Sequence, residues 1–171
     1  MNSLSRLISC LVLLGLTTQG MGRCKNGDKW CEHHESYPHH LVNKAIRSNH
    51  SKLHEIKNHK KTQGSQFFPV DKYKQSCKTR EKYIKPRAGL NRNDEWRWIV
   101  NAKDKMYTQV IKVGVCDHTE GCEGNWSGYD TECRQLYLEH KLLVVTDKEE
   151  LVWDYFTFPS CCSCHIFNLK V

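Results

Sequence analysis

Beyond its leader the 171-residue chain has no long apolar run, no internal repeat, no heptad pattern and none of the short motifs that mark common hydrolases. Each absence removes a class. Nothing past residue 22 approaches the roughly 18 apolar residues of a membrane span, so no membrane insertion is expected. No Gly-x-Ser-x-Gly or His-Glu-x-x-His occurs, and no nucleophile stands beside an ordered base as those motifs require. An enzyme is therefore not expected, and no cofactor is implied. The formal net charge of +7 is also less general than it looks. Residues 1–61 hold ten Lys/Arg against four acids, which leaves 16 of 26 basic and 15 of 19 acidic residues to the remainder, a net of +1. A near-neutral C-terminal region is a poor match for a polyanion, so no nucleic-acid partner is expected.

What the chain does have is a leader and many cysteines. Arg6, the apolar run from Leu7 to Leu16, and the small residues Gly20 and Gly22 read as a secretory signal over residues 1–22. A secreted, extracellular chain matures where cysteines pair. Of ten cysteines Cys10 lies in the leader and nine remain, and an odd number implies a free thiol or a bridge between chains.

Residues 23–66 read as a short, basic, His-rich prodomain and linker, largely disordered. Leu41, Val42, Ala45 and Ile46 form one small helical face that Pro38 can start, but from about Ser48 to Gly64 there is too little to bury. The exposed pair Lys60-Lys61 is a processing candidate, with cleavage expected between Arg47 and Lys74. Seven of ten histidines lie between His33 and His59. His50 and His54 are one helical turn apart, a spacing that can bind a transition metal, yet the composition reads as a polar exposed segment and no metal site is expected. Asn49-His50-Ser51 and Asn125-Trp126-Ser127 are glycosylation candidates.

Residues 67–171 change to strands and turns. Trp96–Val100 places its tryptophans on one face, and Tyr107–Val115 alternates Tyr107, Ile111, Val113 and Val115 on one side. Leu136–Thr146 and Leu151–Phe158 flank a four-residue charged link of hairpin length and lead to Cys161, Cys162 and Cys164. Adjacent Cα atoms lie about 3.8 Å apart, too close for an unstrained bridge, so Cys161 and Cys162 need separate partners. In an extended segment Cys162 and Cys164 share one face and Cys161 takes the other. Seven cysteines fall in residues 77–164, and six suit a growth-factor cystine knot, in which two bridges from a Cys-x-Cys strand close a ring and a third passes through it. Cys162 and Cys164 supply one side of the ring and Cys116 and Cys122 the other, with Gly121 easing the passage. Spacing alone leaves fifteen pairings open. Cys24 and Cys31, isolated upstream, most simply pair with each other. A second copy presenting Cys161 across a two-fold axis would satisfy the remaining thiol.

The segment from Cys77 to Val171, about 95 residues, resembles the cystine-knot domain of the Spätzle family, neurotrophin-like ligands of Toll receptors. The matching elements are Ile84-Lys85-Pro86-Arg87-Ala88-Gly89-Leu90-Asn91, Asp94-Glu95-Trp96 followed by Ile99-Val100-Asn101, Gln109-Val110-Ile111 leading to Cys116, and Phe158-Pro159-Ser160-Cys161-Cys162-Ser163-Cys164. Upstream, Cys31 with Tyr37-Pro38, Val42 and Ile46 resembles a motif of the family's prodomains.

The resemblance implies an all-β, small, elongated cystine-knot domain over residues 67–171. It implies bridges Cys77–Cys133, Cys116–Cys162 and Cys122–Cys164, with Cys161 as the intermolecular cysteine. Trp96 would belong to a mobile tryptophan loop and is the receptor-contact candidate, whereas Trp98 and Trp153 are expected to pack. The activity implied is that of a secreted pro-protein, cleaved by a trypsin-like serine protease upstream of the knot, acting as a disulfide-linked homodimer that brings Toll-family receptor ectodomains together. Two features depart from the family pattern: the prodomain is unusually short, and no single arginine activation site stands just before the knot. The alternative reading is a secreted cystine-knot binding protein that sequesters another ligand without signalling. A toxin or antimicrobial polypeptide is disfavoured by the near-neutral knot domain. The basic cluster Lys72, Lys74, Lys78, Arg80, Lys82, Lys85 and Arg87 suits either steering of an acidic receptor or protection of a sheet edge.

Overall fold

The computed structural model describes residues 24–49, 53, 76–102, 107–124 and 128–169. The leader, the processing candidates Lys60 and Lys61 and the sequon asparagine Asn125 lie outside the described residues. The elements run β1 (Trp30–Cys31), α1 (His39–Ser48), β2 (Thr79–Ile84), β3 (Ala88–Leu90), β4 (Trp96–Ile99), β5 (Ile111–Cys116), β6 (Tyr129–Val145) and β7 (Leu151–Leu169). One antiparallel sheet has the order β1-β3-β4-β6-β7, and β2 pairs with β5 in a second. The fold is all-β with one short helix.

The β6–β7 hairpin is the longest feature, at 17 and 19 residues. Its turn is closed by Thr146, whose N–H donates to Glu150 O at 2.9 Å and whose carbonyl accepts from the Glu149 N–H at 2.9 Å. Near this turn both faces of β6 are covered. Leu143 and Val145 join Val100 and Leu151 beneath α1, while Leu142 and Val144 join Ile84, Ile99, Ile111, Val113, Phe156 and Phe158 beneath the β2–β5 pair. The strict alternation of Leu142 to Val145 between two clusters is the two-residue period of a strand buried on both sides.

The hairpin's register slips between Leu136 and Tyr137: Leu136 faces Cys161 but Tyr137 faces Pro159, leaving Ser160 as the extra residue. Proline cannot donate to a ladder, so a bulge at the sheet's outermost strand is where it does least harm. Gly114 of β5 lies against this bulge. A Cβ there would fall 2.3 Å from Ser160 O and 2.7 Å from Thr79 Cγ2, so the close approach of β5 to β7 requires a glycine. Gly121 does not have that role, because a Cβ at residue 121 would meet nothing closer than Thr131 Oγ1 at 3.4 Å.

The N-terminal segment departs from the expectation of a largely disordered prodomain. Cys24–Asn49 is folded onto the sheet: Cys24 bonds Cys31, Trp30 and Cys31 pair with Gly89 and Ala88, and α1 buries Val42, Ala45 and Ile46. Pro38 caps the helix start. Tyr37, just before it, is buried, its hydroxyl donating to Ile99 O at 2.8 Å and accepting from the Asn101 N–H at 2.9 Å. Its few apolar residues suffice because the sheet already supplies the other half of the core.

Burial pushes the Tyr37 phenol up to about 12, against smaller opposing effects of the Asn101 hydrogen bond and the Arg87 guanidinium. The folded form thus keeps a proton that the unfolded form releases near pH 10. Stability contributed by neutral Tyr37 is complete below pH 10 and declines as pH rises from 10 to about 12. In a Cys161→Ser background, which prevents thiolate exchange, Tyr37→Phe is expected to cost about 1–3 kcal/mol at pH 7 by orphaning Ile99 O and Asn101 N–H. It should also flatten the alkaline loss in denaturant melts; an unchanged alkaline slope would show that Tyr37 is not its source.

Candidate dimerisation and receptor-binding surface

Six cysteines meet where β5, β6 and β7 converge. Cys116, the last residue of β5, bonds Cys162; Cys122 in the following loop bonds Cys164; and Cys77 bonds Cys133. These are the partners that the resemblance implies. The two β7 cysteines are two residues apart on a strand, which aims both at the ring. Cys77 Sγ lies 3.7 Å from Cys122 Sγ, so the third bridge packs directly on one of the ring bridges. Sulfurs of Cys77, Cys122 and Cys164, and of Cys77, Cys133 and Cys162, gather within 4.8 Å of one another. All of them are consumed in disulfides, which leaves no thiolate for a metal ion.

Polar contacts lock the same region. Gln135 accepts from the Cys116 N–H at 2.9 Å and donates to Gly114 O at 2.8 Å and Cys161 O at 3.0 Å, joining β5 to β7 through one amide. Thr79 Oγ1 accepts from the Cys162 N–H at 2.9 Å. Outside the knot, Lys78 pairs with Glu123 and Arg80 with Asp117, each at 2.7 Å. Hydrogen bonding to Glu123 holds the Lys78 ammonium above its ordinary range. Lys82 lies over the Trp30 ring and Arg87 over the Tyr37 ring. The basic cluster of residues 78–87 is thus largely engaged within the protein, which weakens its reading as a steering patch.

Cys161 is exposed and is the one free cysteine among the described residues. Its register partner on β6 is Leu136, which is 40% exposed, and the next residues, Tyr137 and Leu138, are each 59% exposed. A free thiol and three consecutive exposed apolar residues occupy one stretch of hairpin. The triplet escaped the sequence reading. Its signal was available, since an apolar triplet in a strand cannot be buried on one face alone.

Trp96 starts β4 opposite Leu90 and is half-buried, so it lies in a strand and not in a loop. Trp98 and Trp153 pack against the cluster beneath α1. Asn49 follows α1, and its amide nitrogen, the atom a glycan would take, donates to Ala45 O at 2.9 Å.

The sequence model of the family described as Spaetzle matches residues 74–166. Among curated Drosophila melanogaster proteins, Protein spaetzle 5 is 32% identical over 94 residues, covering 53% of this chain and 24% of the relative. Neurotrophin 1 is 31% identical over 91 residues, covering 53% and 10%, and Protein spaetzle is 32% identical over 94 residues, covering 52% and 28%. The match therefore spans between a tenth and just over a quarter of each relative's length. A crystal structure of the spatzle cystine knot aligns with a TM-score of 0.33 at 24% identity, covering 56% of this chain and 94% of that one.

The knot and Cys161 are expected to separate in a stability assay. Removing Cys77–Cys133, which closes a separation of 56 residues, as a paired Cys→Ala variant should cost about 4 kcal/mol. Cys161→Ser should leave the monomer's unfolding midpoint unchanged, and a large loss there would make Cys161 part of the fold.

Proposed function

The chain belongs to the Spaetzle family, and from that premise we propose that it is a secreted, cytokine-like ligand. It acts as a Cys161-linked homodimer that binds and brings together Toll-type receptor ectodomains. The observation that carries this reading is the exposed free thiol of Cys161 beside Leu136, Tyr137 and Leu138. Two copies joined there would present two equivalent receptor surfaces, turning the second binding event into a local one. No helix among the described residues is long and apolar enough to cross a membrane, in keeping with release. The family is one of signalling ligands and not of enzymes.

The finer parts of the proposal are a signal over residues 1–22, a prodomain and linker over 23–66, and a knot domain over 67–171. A trypsin-like serine protease would cleave between Arg47 and Lys74, with Lys60-Lys61 as the candidate pair. Trp96 is the proposed receptor contact, and Asn49 and Asn125 remain the glycosylation candidates.

The wild-type protein should run as a dimer on non-reducing gels and as a monomer on reducing gels, with Cys161→Ser monomeric on both. Protease-treated protein should bind a Toll ectodomain and drive a Toll-dependent reporter. A monomer on both gels would remove the dimer, and binding without a reporter response would favour the sequestering alternative.

A further inference from the structure

Beside the exposed triplet lies a groove of about 630 Å³, walled on one side by Gly27–Trp30 of the N-terminal segment and on the other by Val115, Tyr137, Thr157 and Pro159. We propose that this groove receives the Leu136–Leu138 strand of a second copy, making the N-terminal Cys24–Cys31 loop part of the dimer contact. The proposal rests on the Cys161-linked dimer and adds where the two copies touch.

Continuity supports it first. Tyr137 belongs to both the groove and the exposed triplet, Pro159 is two residues from Cys161, and the groove residue Gln135 donates to Cys161 O. Register supports it next. From Cys161 and its partner Leu136, the groove residues Tyr137 and Pro159 lie one register step along the hairpin and Thr157, opposite Glu139, lies three, so Leu138 falls between them. A two-fold axis parallel to the strands would hold Leu138 of one protomer level with the groove of the other.

Area points the same way. A standard interface buries about 800 Å² on each partner, more than three strand side chains around one disulfide supply, so the contact must spread to adjoining surface. The groove adjoins it and brings apolar Val115, which is 38% exposed.

The test uses the full chain with Cys161 intact, equilibrated in glutathione buffers poised so that the knot bridges stay oxidised. The fraction of covalent dimer gives the effective concentration of one Cys161 for the other. Leu138→Asp and Val115→Asp should each lower it at least tenfold, with Tyr83→Asp, an exposed tyrosine outside the groove, unchanged. Neither groove variant should shift the monomer's unfolding midpoint in a Cys161→Ser background, a readout that separates lost docking from lost folding. Wild-type values in the groove and triplet variants would overturn the docking while leaving the dimer intact. A wild-type chain with no covalent dimer at any poise would remove the dimer itself, and the docking with it.

Discussion

Long two-stranded ribbons are unstable alone, and the half of the β6–β7 hairpin remote from its turn is such a ribbon. Near the turn, residues 142–145 are held between two apolar clusters. Near the cysteines the described residues form no comparable layer; three buried cysteines with Cys162 and Cys164 make up the cluster there. Cross-links thus stand where side-chain burial would stand in a larger domain. They bring their own constraints. Because Cys116–Cys162 draws β5 onto β7 just beside the Pro159–Ser160 bulge, residue 114 must be small. Gly114, the bulge and the bridge are one arrangement, and none of the three is independent of the others.

At the opposite end a buried amide network does what disulfides do at the knot. Gln109 donates to Val100 O and Leu143 O and accepts from the Leu143 N–H, so its side chain supplies ladder bonds that a neighbouring strand would otherwise make. Its own N–H donates to Asn101 Oδ1, and Asn101 donates to Pro86 O. Tyr37 reaches this network through the Asn101 N–H. The N-terminal segment is thereby anchored to the interior by a group whose partners are backbone atoms of the sheet, where an unmet bond is costly. An apolar helix face alone would not fix its position so narrowly.

The hairpin, the helix started by Pro38 and the face assignment of Cys161 against Cys162 and Cys164 were legible in the sequence, because each follows from a local period of two or 3.6 residues. The folding of Cys24–Asn49 onto the sheet was not. Its stabilising partners, Gly89, Ile99, Val100 and Leu143, lie far along the chain, and residues 23–66 as a whole were read as a largely disordered prodomain and linker. Tyr37 and Gln109 stood in the matched motifs without a role, since nothing local distinguishes a polar side chain that bonds to distant backbone from one that faces water. Gly121 was singled out for its place between knot cysteines, yet the close approach occurs at Gly114, which becomes visible only when β5 is laid beside Ser160. Trp96 was assigned to a loop by likeness, and its pairing with Leu90 makes it a strand residue.

One protomer is complete in its knot and incomplete at its surface, and both conditions have a single origin. A Cys-x-Cys pair aimed at the ring forces the residue before it to the other face, so Cys161 must leave the protomer's interior once Cys162 and Cys164 are bridged. The register slip at Ser160 falls beside the same point, and Leu136–Leu138, which flank the slip on β6, belong to neither the cluster beneath α1 nor that beneath β2–β5 and stay exposed. Exposed apolar surface of this kind invites association, and the thiol lies within it. The geometry that closes the knot is therefore also the geometry that leaves an exposed cysteine in an apolar setting, so one strand register sets both which cysteines hold the fold and which one is left for a second copy.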